Sequence, residues 1–166
     1  MVIRHKWGES KLKGTISPQR VLSSLFILSL IFLSLAGCSP TAFSSNQVCF
    51  KKQCVNVEIA HKKDDLERGL MFRESLADEA GMLFIFPQSK PHSFWMKNTL
   101  IPLDILWLDA SRQVVFIARD VPPCNSDPCP TYTPPEESLY VLEVNAGYTL
   151  KHGIQAGDKA IFHISL

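Results

Sequence analysis

Apolar residues fall in short runs along most of the chain. Val55, Val57 and Ile59 alternate with Asn56 and Glu58, the period-two pattern of a half-buried strand. Residues 82–86 (MLFIF) are continuously apolar and end at Pro87, which predicts a buried strand that stops there. Residues 93–97 form a third strand candidate, turning at Asn98 and Thr99. Residues 103–108 (LDILWL) follow, and the polar turn Asp109-Ala110-Ser111-Arg112 carries the chain into 114–118, the pattern of a β-hairpin. Residues 139–144 predict a strand turned by Asn145-Ala146-Gly147, and residues 160–164 the last one. Helix is scarce. Asp64-Asp65-Leu66-Glu67 reads as a capping box that opens a short helix closed by Gly69, and residues 75–80 as one more turn ended by Gly81.

About eight short strands with frequent turns predict a mainly β fold, a single antiparallel β-sandwich or barrel-like domain with one or two short helices. Six of the eleven prolines crowd into residues 121–138, which therefore read as a long loop. No internal repeat is visible.

The longest apolar run breaks this pattern. Residues 21–35 (VLSSLFILSLIFLSL) carry no charge and follow a basic stretch. As a helix they would span about 22 Å, short of the roughly 30 Å hydrocarbon core, so the segment reads as a secretory signal. Leu35-Ala36-Gly37-Cys38 then resembles the lipobox of bacterial lipoproteins. In those proteins the signal is cut before the cysteine, which is diacylated and N-acylated. The resemblance implies residues 1–37 as a cleaved signal, lipidation at Cys38, 38–47 as a polar tether and 48–166 as the β-rich domain. It also implies an extracytoplasmic protein held on the bilayer through Cys38, with Ser39 favouring the outer membrane of a Gram-negative cell.

Charge follows the same division. The formal net charge of +1 hides five basic residues and one acidic residue within 1–37, which leave the remainder at −3. An acidic domain is no nucleic-acid binder of the usual electrostatic kind. With Cys38 assigned to lipid, Cys49, Cys54, Cys124 and Cys129 remain, in two C-x4-C pairs. In an exported domain they read as two disulfides, Cys49 and Cys54 flanking the four-residue loop of a hairpin, although spacing leaves crossed pairing open. A four-thiolate metal site ranks below this, because such sites favour C-x2-C spacing.

Candidate chemistry centres on residues 94–99. As a strand this segment would place Trp95, Lys97 and Thr99 on one face and Phe94, Met96 and Asn98 on the other. Trp95 as aromatic platform and Lys97 as donor suit a sugar or an anionic ligand, and Arg73, Asn98, Asp104 and Glu143 add polar groups. Asp104 and Glu143, if buried, require partners such as Lys97, Arg68 or Arg73. If both open to one cleft, they would instead serve a small-molecule or carbohydrate hydrolase. His92 and Met96, with Met71 or Met82, would make a soft Cu(I) set beside Trp95, although the methionines suit packing equally well. No G-x-S-x-G, H-E-x-x-H or Gly-rich phosphate loop occurs, and neither His152 nor His163 has an evident nucleophile partner. These readings favour a binding or envelope-associated module without a cofactor, its partner a small molecule or an envelope protein.

Several blocks resemble a known family. They are Glu67-Arg68-Gly69-Leu70-Met71-Phe72-Arg73, Gly81-Met82-Leu83-Phe84-Ile85-Phe86, Phe94-Trp95-Met96-Lys97-Asn98-Thr99 with Ile101-Pro102-Leu103-Asp104-Ile105, Val121-Pro122-Pro123-Cys124 and Leu142-Glu143-Val144-Asn145-Ala146-Gly147. Together they are similar to the domain of unknown function 192, over roughly residues 55–162. The resemblance implies a compact β-rich sandwich, often exported, in a family with no established activity. The loop that carries Cys124 and Cys129 looks like a subgroup feature, which supports pairing those two together.

Overall fold

A computed structural model describes residues 46–165. The apolar run at 21–35, Cys38 and most of the tether lie outside these residues. The described chain is mainly β, with nine strands and two short helices. Seven strands form one sheet in the order β6-β5-β8-β3-β2-β1-β9. They are β1 (Gln47–Phe50), β2 (Gln53–Ala60), β3 (Ala80–Lys90), β5 (Leu103–Leu108), β6 (Val114–Val121), β8 (Ser138–Asn145) and β9 (Ala160–His163). β4 (Phe94–Trp95) and β7 (Thr131–Tyr132) make a separate two-stranded ribbon.

The two edge strands meet. Gln113, just before β6, bridges Lys159, just before β9, and the Ala160 amide donates to the Arg112 carbonyl at 2.9 Å. The sheet therefore curls into a barrel-like form that leaves little open edge where β6 and β9 begin. Alternation along the strands builds two cores. Val48, Val55, Leu83, Leu106, Leu142 and Val144 fill one face. Phe84, Met96, Leu103, Ile105, Trp107 and Val141 pack on the other, under the ribbon and the segment between β2 and β3. With both faces covered, all six residues of β5 are buried, which is why LDILWL reads as a continuous apolar run rather than an alternating one. Trp107 is fully buried, and its indole N–H donates to the His92 carbonyl at 2.8 Å.

Several local expectations change. β2 and β3 pair in parallel, the one departure from antiparallel pairing in the main sheet. The crossover between them holds α1 (Lys63–Arg68). No side chain caps α1, because Lys62 rather than Asp64 precedes its first turn; Asp64 and Asp65 lie inside that turn, where they complement the helix dipole. Residues 75–80 form turns and no helix. Gly81 is a strand residue, since a Cβ there would stand 2.5 Å from the Glu143 carbonyl oxygen. β3 runs through Pro87 to Lys90: β2 has already ended opposite Phe84, and the β3–β8 register shifts between Ile85 and Lys90, so the proline removes no ladder bond. Past Gly147 the chain forms a four-residue helix, α2 (Tyr148–Lys151), which the sequence pattern does not announce.

The cysteines pair locally. Cys49 and Cys54 face each other across the β1–β2 hairpin, whose turn is Lys51-Lys52, and Cys124 bonds Cys129 within the proline-rich loop. Disulfides persist in oxidising surroundings, so both point to an extracytoplasmic setting.

Candidate functional site

The outer face of the sheet carries one acidic side chain at its centre. Glu143 on β8 lies directly across from Ile105 on β5 and Met82 on β3. Above it pass the last turn of α1 and Gly69, whose backbone occupies the left-handed region at φ 49°. A Cβ at Gly69 would come within 3.1 Å of the Phe84 ring and 3.6 Å of Glu143 Oε2, so the missing side chain is what lets the crossover close over the carboxyl group.

A cleft of about 360 Å³ opens here. Glu143 lies at its base, Phe84, Phe86, Phe94 and Trp95 give it aromatic walls, and Glu67 and Arg68 stand among its lining. The Phe94 ring meets the edges of Phe84 at 5.0 Å and Phe86 at 6.2 Å, while Trp95 remains 48% exposed. Glu143 Oε2 is buried without a hydrogen-bond partner among the described residues. Burial alone pushes the carboxyl up to about 8, so at neutral pH it is mostly a neutral acid.

The blocks that resemble the family converge on this place. Four of them contribute lining residues: Glu67 to Met71 from the first, Phe84 and Phe86 from the second, Phe94, Trp95 and Thr99 from the third, and Glu143 from the last. Reading the sequence singled out Trp95 and Glu143. It missed Gly69, Phe84 and Phe86, which looked like a helix end and a core strand; the signal that they share a site is the glycine between Arg68 and Leu70, needed only where something lies close beneath.

Asp104 is elsewhere. It pairs across β5–β8 with Val144, one step along from Glu143, and so faces the opposite side of the sheet. There its oxygens accept from the backbone amides of Asp120 (2.9 Å), Gly147 (3.2 Å) and Thr149 (2.9 Å) and from the Thr149 hydroxyl (2.6 Å). Arg119 Nε donates to Thr149 Oγ1 at 3.1 Å and completes the set. Asp104 is thus a structural anchor for the start of α2, and the expected acid/base couple of Asp104 with Glu143 does not exist, because the two share no cleft. Neither carboxyl pairs with Lys97, Arg68 or Arg73.

Those cations are engaged otherwise. Arg73 forms a two-pronged pair with Glu58 on β2, which raises the guanidinium further. Arg68 binds Asp65 at 3.0 Å. Lys97 bonds Asp127 at 2.8 Å, inside the ring closed by Cys124 and Cys129, and lies 5.5 Å from the Trp95 ring centroid. Lys97 is therefore on the loop side of Trp95 and not among the cleft lining. Asn98 is exposed at φ 57° and its carbonyl accepts from the Phe72 amide at 2.8 Å, a turn role. His92 stacks on Phe86 at 3.6 Å with Nε2 facing the Gln88 carbonyl, and burial lowers its pKa; Met96 is core. Both serve packing here, and the soft copper set is not assembled from them.

Comparison with known proteins agrees with this architecture. A crystal structure from Sinorhizobium meliloti, described provisionally as a transcription regulator, superposes with a TM-score of 0.65 at 32% identity, covering 70% of this chain and 91% of that one. A protein of unknown function from Novosphingobium aromaticivorans gives the same TM-score and identity, over 75% and 91%. No curated protein matches the chain. The family model described as uncharacterised ACR, domain of unknown function 192, matches residues 46–162, and the chain belongs to that family.

Proposed function

We propose that this domain is a small-molecule binding module, carried outside the cytoplasm on a lipid attached at Cys38, and that its ligand enters the cleft over Glu143. One observation carries the reading: a buried carboxyl group with an unpartnered oxygen lies at the base of an open, aromatic-walled cleft. A buried polar atom left without a partner costs about 1–3 kcal/mol, and a ligand group that reaches it recovers that cost. The scaffold around it is rigid and dry enough to hold a fixed orientation, as binding clefts require. Two disulfides support the exported setting.

Two measurements test the proposal. Amide chemical shifts of the full chain, followed during titration with a fragment library, should move together at Gly69, Phe84, Trp95 and Glu143; perturbations scattered over the surface, or confined to the Cys124–Cys129 loop, would sink the cleft. Intact mass from the native membrane should correspond to cleavage before Cys38 plus acyl chains, with a gain of about four hydrogens on reduction. An unlipidated mass would remove the anchor and leave the cleft untouched.

A further inference from the structure

We infer that the group taken by this cleft is an organic ammonium, seated between the Glu143 carboxylate and the faces of Trp95 and its neighbouring phenylalanines. The inference rests on the binding reading above and names the ligand class for the same site.

Three features of the cleft favour a cation over a neutral hydroxyl ligand. Its walls are aromatic on several sides, and aromatic faces attract cations through their quadrupole, most strongly where water is excluded. Polar partners are few: beyond Glu143 the uncharged polar side chains of the lining are those of Ser93 and Thr99, too sparse a set to satisfy a sugar's many hydroxyls. The remaining charges do not neutralise Glu143 from within. α1 presents Glu67 and Arg68, the latter held by Asp65 at 3.0 Å, while β3, β4 and β5 present only uncharged side chains to it, because Asp104 of β5 points to the far face. The protein thus supplies a buried negative group and no internal counter-charge. An ammonium ligand supplies it.

Such binding carries a proton signature. Alone, the carboxyl is protonated below about 8. An entering ammonium favours the carboxylate, so the Glu143 proton leaves to solvent as the cation arrives, and charge balances at the site. Binding at pH 7 should therefore release close to one proton per cation, and affinity should fall about tenfold for each pH unit below 8.

Choline and its neutral carbon isostere 3,3-dimethylbutan-1-ol make the test, titrated calorimetrically into the full chain in detergent between pH 6 and 9 in buffers of differing ionisation enthalpy. The expected result is at least tenfold preference for choline at pH 8, with proton release at pH 7. In Glu143→Gln the preference and the proton release should vanish while the isostere still binds; Trp95→Ala should weaken choline several-fold and Trp95→Phe largely restore it. Because the ammonium can belong to a free amine or to a lipid headgroup, competition by phosphatidylcholine vesicles separates the two sources, and either result keeps the ammonium. Equal, pH-independent binding of choline and isostere would overturn the cation and leave the cleft standing as an apolar site. Failure of both compounds to bind, with unmoved Trp95 resonances, would overturn both readings.

Discussion

Asp104 and Glu143 are one register step apart on neighbouring strands and face opposite sides of the sheet. Each carries a buried carboxyl group, yet four donors reach the first and none reaches the second. The alternation of side chains along a strand makes this contrast: the same two strands send one acid into the interior that frames α2 and the other into the cleft. Two residues of one type thus hold opposite positions, one completing the fold and one awaiting a partner.

The raised Glu143 carboxyl links stability to pH. The folded protein holds its proton up to about 8, the unfolded chain loses it near 4.5, and so the folded state binds more protons between those values. Stability from this group is complete below pH 4.5, declines as pH rises, and has gone above about 8, by on the order of 4 kcal/mol in total. Urea midpoints from pH 4 to 9 should show this slope in the natural chain. Glu143→Gln should flatten it and be the more stable protein at pH 9.

Asp104→Asn should cost on the order of 3 kcal/mol, because one amide hydrogen pair would confront backbone N–H donors that now share an acceptor. Thr149→Val, which removes only the hydroxyl donor and its link to Arg119, should cost about 1–2 kcal/mol. Both are read from the denaturant midpoint, and the order of the two is the informative outcome.

Gly69→Ala should destabilise by about 1–3 kcal/mol, from a left-handed backbone and a Cβ set against Phe84. It should also narrow the cleft above Glu143, so any cleft ligand should bind more weakly to the folded variant. A variant with lost stability and unchanged affinity would show that Gly69 serves the chain path alone.

Replacing Cys49 and Cys54 together by alanine should lower stability by about 2 kcal/mol, the chain-entropy effect of opening so short a ring. The β1–β2 register is independently fixed by its ladder on both sides, so the circular dichroism spectrum should not change.

What was legible in the sequence follows from where the signal is local. The β5–β6 hairpin shows itself because an apolar run, a polar turn and a second run suffice to specify it. The parallel pairing of β2 with β3 does not, since it depends on how the intervening crossover lies over the sheet. α2 is equally silent: four residues hold no helical period, and their first turn is anchored by Asp104, some forty residues away in the chain. At the site, Trp95 and Glu143 stand out as an exposed-type aromatic and an acid within apolar strands. That Glu143 lacks a partner is a property of its surroundings, to which α1, β3, β4 and β5 all contribute, and no single stretch records it.

The parallel β2–β3 step has one more consequence. Because it sends the chain across the outer face, the cover of the cleft is built from a crossover and a short ribbon, while the barrel interior draws on the opposite side chains of the same strands. Scaffold and specificity are therefore inherited separately. Substitutions in the crossover or the ribbon retune what the cleft admits without repacking the interior, and one fold of this kind is free to diversify its ligands at little risk to its own folding.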